Sequence, residues 1–414
     1  MSAPPVRLGR PLDGITRRSL LRASGVLGAT ALASGFGKVG LDTVLARAGT
    51  DPLPAGTPIL VVLTLYGGND GLNTLVPFAD PAYHSARPGL ALAPDTVLRL
   101  DDDFGLNPGL AHVATEFGAG RVAIVQGVGY PGADRSHFRS MDVWQTASPA
   151  TPATSGWLGR WLDASGGDPL LALGIDEVLP PLLVGERSVA AALSPTTRPV
   201  RPVVGRTLAA LASNAPRSGG PAETEATAAV RASYAAYGRL ASLAAGVENG
   251  DPVPTDRLAA QLRVVARCIR AGAPTRVYAA SLAGFDTHAG ELATQRSLLT
   301  RVDGALAGFR TALAGHERAR DVVVLAYSEF GRRVAANASD GTDHGTAGPV
   351  FLLGDRVRGG LHGERPSLTG LDRGDLRTTT DFRSVYAAVL ARVLDTDPER
   401  VLPPGSPGPL DLLV

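Results

Sequence analysis

Residues 58–64 read Pro-Ile-Leu-Val-Val-Leu-Thr and run without a polar spacer into Leu65-Tyr66-Gly67-Gly68-Asn69-Asp70-Gly71-Leu72-Asn73. An apolar run that does not alternate is the pattern of a strand covered on both faces, and such strands belong to parallel sheets held between helices. Similar runs recur at Arg121–Gly127, Leu170–Ile175, Arg276–Leu282, Asp321–Tyr327 and Val350–Leu353, which with Pro58–Tyr66 make six expected strands. Helical spacing is found at His137–Thr146, Trp157–Ala164, Glu223–Ala244, Asp256–Ala271, Glu291–Leu313 and Asp381–Val393, the last with Asp381 as its N-cap. The alternation predicts an α/β fold, an open doubly wound, mostly parallel sheet with helices on both faces. In that architecture ligands sit beyond the carboxyl ends of the strands. Residues 178–222, rich in Pro, Ser, Thr and Arg, interrupt the pattern and read as a surface excursion over that end.

The first fifty residues have a different character. Arg17-Arg18 precede a mild apolar stretch, Ala23 to Phe36, and Ala46-Arg47-Ala48 offers a small-x-small site before Gly49. The order fits a twin-arginine export signal over residues 1–48, followed by one domain over 49–414; the alternative is a basic amphipathic helix that stays on the protein. The apolar stretch is shorter than the roughly 20 residues that a membrane-spanning helix needs. Export would make the twin-arginine translocase a transient partner, place the chain outside the cytoplasm, periplasmic or secreted, and leave it no stable membrane span. Residues 1–48 hold seven basic and two acidic side chains, so their removal takes the net charge from +1 to −4. No basic run or basic-aromatic pattern suggests nucleic-acid binding. Cys268, the single cysteine, excludes an internal disulfide and sits in a helical pattern as a small core residue. No Gly-x-Gly-x-x-Gly follows a strand and no cysteine set for a cluster or haem is present, which argues against a redox enzyme.

Four expected strand ends carry polar clusters. They are Gly67-Gly68-Asn69-Asp70, Asp134-Arg135-Ser136-His137, Gly284-Phe285-Asp286-Thr287-His288, and Ser328-Glu329-Phe330-Gly331-Arg332-Arg333 with Thr342-Asp343-His344 beyond it. A parallel sheet brings all four to one edge, gathering Asp70, Asp286, Glu329 and Asp343 with His137, His288 and His344. Such a set of anions repels itself unless a cation lies among it. Mixed imidazole and carboxylate ligands suit zinc, manganese or iron, whereas a mainly carboxylate set suits calcium or magnesium. Ser136 opens a helix, where backbone amides favour an anion; it is a candidate nucleophile or, with Asp134, an ordinary cap. Arg135 and Arg139 suit a tetrahedral oxyanion or a solvated helix start, and Arg332 and Arg333 invite the same two readings. Asp70 reads either as a ligand or as a turn residue bonding its own backbone. His84, His112, His316 and His362 lack such neighbours and read as structural, and Trp144, Trp157 and Trp161 as core.

Together the twin-arginine start, Leu65 to Asn73, Arg135-Ser136-His137-Phe138, Gly284 to His288, Ser328 to Arg332 and Asp343-His344-Gly345 resemble the exported bacterial family called domain of unknown function 1501. The resemblance spans about residues 57–395 and implies the alkaline phosphatase and sulfatase superfamily, whose members act on phosphate and sulfate esters with one or two divalent metals. It implies an alkaline phosphatase-like sheet and a metal-dependent hydrolase of a small anionic ester, or a non-catalytic cell-envelope binding or assembly protein on the same fold. Asp70, Asp286, His288, Glu329, Asp343 and His344 become expected metal ligands. Ser136 and His137 become the expected catalytic pair, and Asn69, Arg135 and Arg332 expected substrate contacts. The superfamily commonly has an Asp-His pair where this chain reads Glu329-Phe330.

Overall fold

A computed structural model of the chain describes residues 38–176, 178–195 and 256–414. The expected helix Glu223–Ala244, most of the excursion and the arginine-pair segment lie outside them.

Among the described residues, ten strands form the main sheet: β1 Lys38–Val39, β2 Ile59–Tyr66, β3 Val122–Gly129, β4 Ala172–Gly174, β5 Ala191–Leu193, β6 Val277–Ala283, β7 Val322–Tyr327, β8 Gly348–Leu353, β9 Gly360–His362 and β10 Thr380–Asp381. The order is β1-β5-β4-β6-β2-β7-β8-β3-β9, with β10 also on β3. Every pairing is parallel except the two made by β8, which runs against both β7 and β3. The described residues therefore form an α/β fold with a mostly parallel sheet, and all six expected strands fall within it. Part of the expected excursion is not an excursion, since Ala191–Leu193 forms β5 inside the sheet.

Eight α-helices accompany the sheet among the described residues: α1 Leu41–Thr50, α2 Pro81–Ala86, α3 Ala111–Gly118, α4 His137–Thr146, α5 Trp157–Ala164, α6 Arg257–Arg270, α7 Glu291–Leu313 and α8 Phe382–Arg392. Their stops and starts follow local chemistry. Asp256 accepts from the backbone N–H groups of Leu258 and Ala259 to cap α6, and Asp381 accepts from that of Arg383 to cap α8. Ala147, in the left-handed region at φ 57°, ends α4.

The unbroken apolar strands are explained by two cores. Leu60 and Val62 of β2 point into one, packed with Trp144, Trp157, Trp161 and the Phe382–Leu390 face of α8. Ile59, Val61 and Leu63 point into the other, with residues from α1, α3, α6 and α7. With a period of two, a strand covered on both sides has no polar face left. The tryptophans are core residues as expected: Trp144 stacks on Tyr327 at 5.0 Å and Trp157 on Tyr386 at 4.3 Å. Cys268 is fully buried in the second core, and burial pushes its thiol up to about 12. No described helix is long and apolar enough to cross a membrane.

Candidate metal centre

Strands β2, β3, β6 and β7 run in one direction, so the loops after Tyr66, Gly129, Ala283 and Tyr327 leave from one edge. The reversed β8 begins at that edge, which brings the preceding Asp343-His344 loop to the same place. His137, His288, His344 and Asp286 meet there. The Oδ1 atom of Asp286 stands 3.0 Å from His288 Nε2, 3.1 Å from His344 Nε2 and 3.3 Å from His137 Nε2. The two Nε2 atoms of His288 and His344 are 2.9 Å apart. His137, Asp286 and His344 each offer a ligand atom, all within 4.8 Å of one another.

The far side of each ring explains its orientation. His137 Nδ1 lies 2.9 Å from Glu329 Oε1, and His344 Nδ1 lies 2.8 Å from the carbonyl oxygen of Arg135. Both partners are acceptors, so each ring carries its proton on Nδ1 and turns an Nε2 lone pair inward. His288 Nδ1 faces Asp343 Oδ1 at 3.6 Å in the same sense. His137 Nε2 is buried and makes no hydrogen bond. Metal-binding histidines have this outer arrangement, in which a carboxylate or carbonyl fixes the tautomer.

Asp286 remains an anion. Burial raises its carboxyl, but the hydrogen bond and the charge of Arg332 outweigh it and hold the group well below the usual carboxylate range. Nitrogen lone pairs and a carboxylate oxygen packed at these distances repel one another, and a divalent cation reverses the sign of every term. Ligand atoms of a tetrahedral site with bonds near 2.05 Å lie roughly 3.3 Å apart, a spacing approached by Asp286 Oδ1 and each imidazole Nε2, while the set of His137, Asp286 and His344 spans up to 4.8 Å. The donor set fits zinc, manganese or iron. About half of the Asp286 and His288 side-chain surfaces is open to solvent, so the cluster faces outward.

Arg332 builds the wall behind it. Its buried guanidinium donates to the carbonyls of Gly68 (2.7 Å), Thr342 (3.0 Å), Phe285 (3.0 Å) and Gly67, and to Asp286 Oδ1 (2.7 Å). Phe330 forms the floor, its ring 4.9 Å from His137 and 5.0 Å from His344. The glycines after β2 make room for both. A Cβ on Gly67 would come within 2.5 Å of the Asp286 nitrogen, and one on Gly68 within 2.2 Å of the Phe330 ring. Both residues have positive φ, 118° and 71°. Gly67 also donates its N–H to Glu329 Oε1 at 2.9 Å, so the turn fixes the carboxylate that orients His137.

Several expected roles do not survive this placement. Asp70 does not face the cluster: it is fully buried, and both its oxygens accept from Arg87, at 2.5 and 3.0 Å. Burial raises the Asp70 carboxyl, and the Arg87 charge beside it overcomes this and lowers it. Next to the pair lies buried Glu291, whose carboxyl is pushed up to about 9 by burial and by the charge of Asp70. Glu329 and Asp343 stand behind histidines rather than among the inward-facing atoms. Arg332 has its donors turned to the protein rather than to a substrate. Arg135 is paired with Asp375, and Asn69 Oδ1 accepts from Thr74 and Gln295. His137 joins the cluster itself. Ser136 precedes it at the N-cap of α4, exposed and without a side-chain capping bond. Sequence reading missed Arg87 and Glu291 and gave no role to Thr342, which donates to Glu291 at 2.5 Å. Nothing in their spacing marks them, because each matters only through a partner far along the chain.

No curated protein matches the chain by sequence. Its fold is similar to solved structures that include a protein in the alkaline phosphatase superfamily from Vibrio parahaemolyticus, at 10% identity and TM-score 0.41 over 87% of this chain and 76% of that one. Others are a mutant of TAB5 alkaline phosphatase with Mg bound in its M3 site, at 10% identity and TM-score 0.33 over 73% and 92%, and a 2-O GAG sulfatase, at 12% and 0.30 over 73% and 65%. The family model for the group described as protein of unknown function (DUF1501) matches residues 58–405, a span that contains every strand-end cluster of the site, and the chain belongs to that family.

Proposed function

We propose that this chain is an exported, metal-dependent hydrolase of phosphate or sulfate esters. The observation that carries the reading is the convergence of three Nε2 atoms on Asp286 Oδ1, with all three Nδ1 atoms turned toward acceptors. His137, Asp286 and His344 would hold one divalent ion, supported by the unpartnered buried Nε2 of His137, with His288 beside Asp286 and His344. When bound, such an ion supplies a Lewis acid for an ester oxygen. Ser136 adjoins His137 at a helix start, where the free backbone amides favour the substrate anion. Its oxygen forms the bond to phosphorus or sulfur as the ester bond breaks, its proton leaves with the alcohol, and water then frees the anion and restores the hydroxyl. Glu329 keeps His137 in one tautomer throughout. Export through the twin-arginine translocase to a site outside the cytoplasm is part of the same proposal.

The test is elemental analysis of the purified protein together with turnover of aryl phosphate, phosphodiester and aryl sulfate, with and without chelator. One metal per chain and chelator-sensitive turnover that Ser136→Ala abolishes are expected. A metal-loaded protein inactive across the panel sinks the hydrolase reading. The second reading, a binding or assembly protein of the cell envelope, is favoured by one observation. The buried guanidinium of Arg332 is spent on four backbone carbonyls and on Asp286, which leaves it no donor for a substrate anion.

A further inference from the structure

We infer that Lys38–Thr50 is a permanent part of the folded domain and that the Ala48–Gly49 bond is not where an export segment is removed. The sequence offers Ala46-Arg47-Ala48 as a processing site, and the fold uses the same residues for something else. β1 adds a parallel edge strand to the main sheet, Lys38 opposite Ala192 and Val39 opposite Leu193. α1 then lies against α6 and sends Val44 and Ala48, 0% and 5% exposed, into the second core among Leu258, Leu262 and Ile269. The helix closes with the Asp51 N–H on the Arg47 carbonyl at 2.8 Å, and the Arg47 side chain reaches Asp51 and Asp168.

A peptidase that selects small side chains reads them from an extended chain. Here the scissile bond falls in the last turn of a helix, and the Ala48 side chain is enclosed by the core. Excision after Ala48 would strip the partner from β5, exposing a sheet edge, and would leave a cavity where Val44 and Ala48 pack. Any export segment therefore ends upstream of Lys38.

The experiment expresses the full chain from its own N-terminus in a bacterium with a twin-arginine translocase, followed by N-terminal sequencing and intact mass of the soluble and extracytoplasmic fractions. Every recovered chain is expected to retain Lys38–Thr50, whether processed upstream or left whole. A chain beginning anywhere after Lys38 overturns the inference. Ala46→Leu supplies a second reading that leaves folding intact, because Ala46 is exposed on α1 and leucine is a good helix former. Its mature mass should differ from the parent's only by the substituted side chain; accumulation of an unprocessed precursor would mean that the Ala46-Arg47-Ala48 site is in use.

Discussion

Nε2 of His288 and Nε2 of His344 lie 2.9 Å apart. Because His344 gives its Nδ1 proton to the Arg135 carbonyl, its Nε2 presents only a lone pair, and Asp286 Oδ1 adds a negative charge within 3.1 Å. A proton or a metal must sit between these atoms.

The first prediction concerns the carboxylate behind His137. Glu329→Gln keeps the shape of the side chain and removes the charge that fixes the ring, so metal affinity should fall about 10- to 100-fold. Asp286→Asn, which removes the anion at the centre, should fall further. Titration of metal-free protein with zinc, followed by calorimetry, ranks the two. Equal affinity in Glu329→Gln and the parent would remove Glu329 from the site.

Asp70→Asn should behave differently from both. It removes the anion that accepts from buried Arg87 at 2.5 and 3.0 Å, a change that costs about 3–5 kcal/mol. Denaturant unfolding reads the loss. The metal content of the protein that remains folded should match the parent, since both Asp70 oxygens face Arg87. A folded but metal-free variant would return Asp70 to the ligand set.

Glu291 makes the stability depend on pH in a defined direction. Its carboxyl, pushed up to about 9 mainly by burial and then by Asp70, favours the protonated protein. That contribution is complete below the unfolded value of about 4.3 and is lost as pH rises through about 9. Glu291→Gln keeps a neutral donor beside Asp70 and removes the titration. Its melting temperature should hold from pH 5 to pH 9 where the parent's declines, and parallel profiles would disprove a neutral Glu291.

Gly68→Ala tests the floor of the cluster. The added methyl would meet the Phe330 ring at 2.2 Å on a backbone with φ of 71°, so the ring or the turn must move. Overpacking of this kind costs about 1–3 kcal/mol. Because Phe330 supports His137 and His344, weakened metal binding should accompany the lower melting temperature.

Much of the molecule was legible from local pattern. The unbroken apolar strands already required helices on both faces, and His137–Thr146, Trp157–Ala164 and Glu291–Leu313 form helices with the expected ends. The gathering of four polar loops at one edge followed from parallel strands alone. Periodicity carried this information because it records which faces of an element are buried.

Which charge meets which was decided by the tertiary structure. Asp70 and Asp286 both follow a buried strand by a few residues, yet the turn through Gly67 and Gly68 sends one inward to Arg87 while the other faces three imidazoles. The reversal of β8 delivers His344 ahead of a strand instead of after one. The same holds at the N-terminus, where residues that read as disposable place Val44 and Ala48 in the core. Burial leaves a mark on the local sequence, whereas the partner of a buried or clustered charge is chosen by chain packing that brings distant residues within a few ångströms.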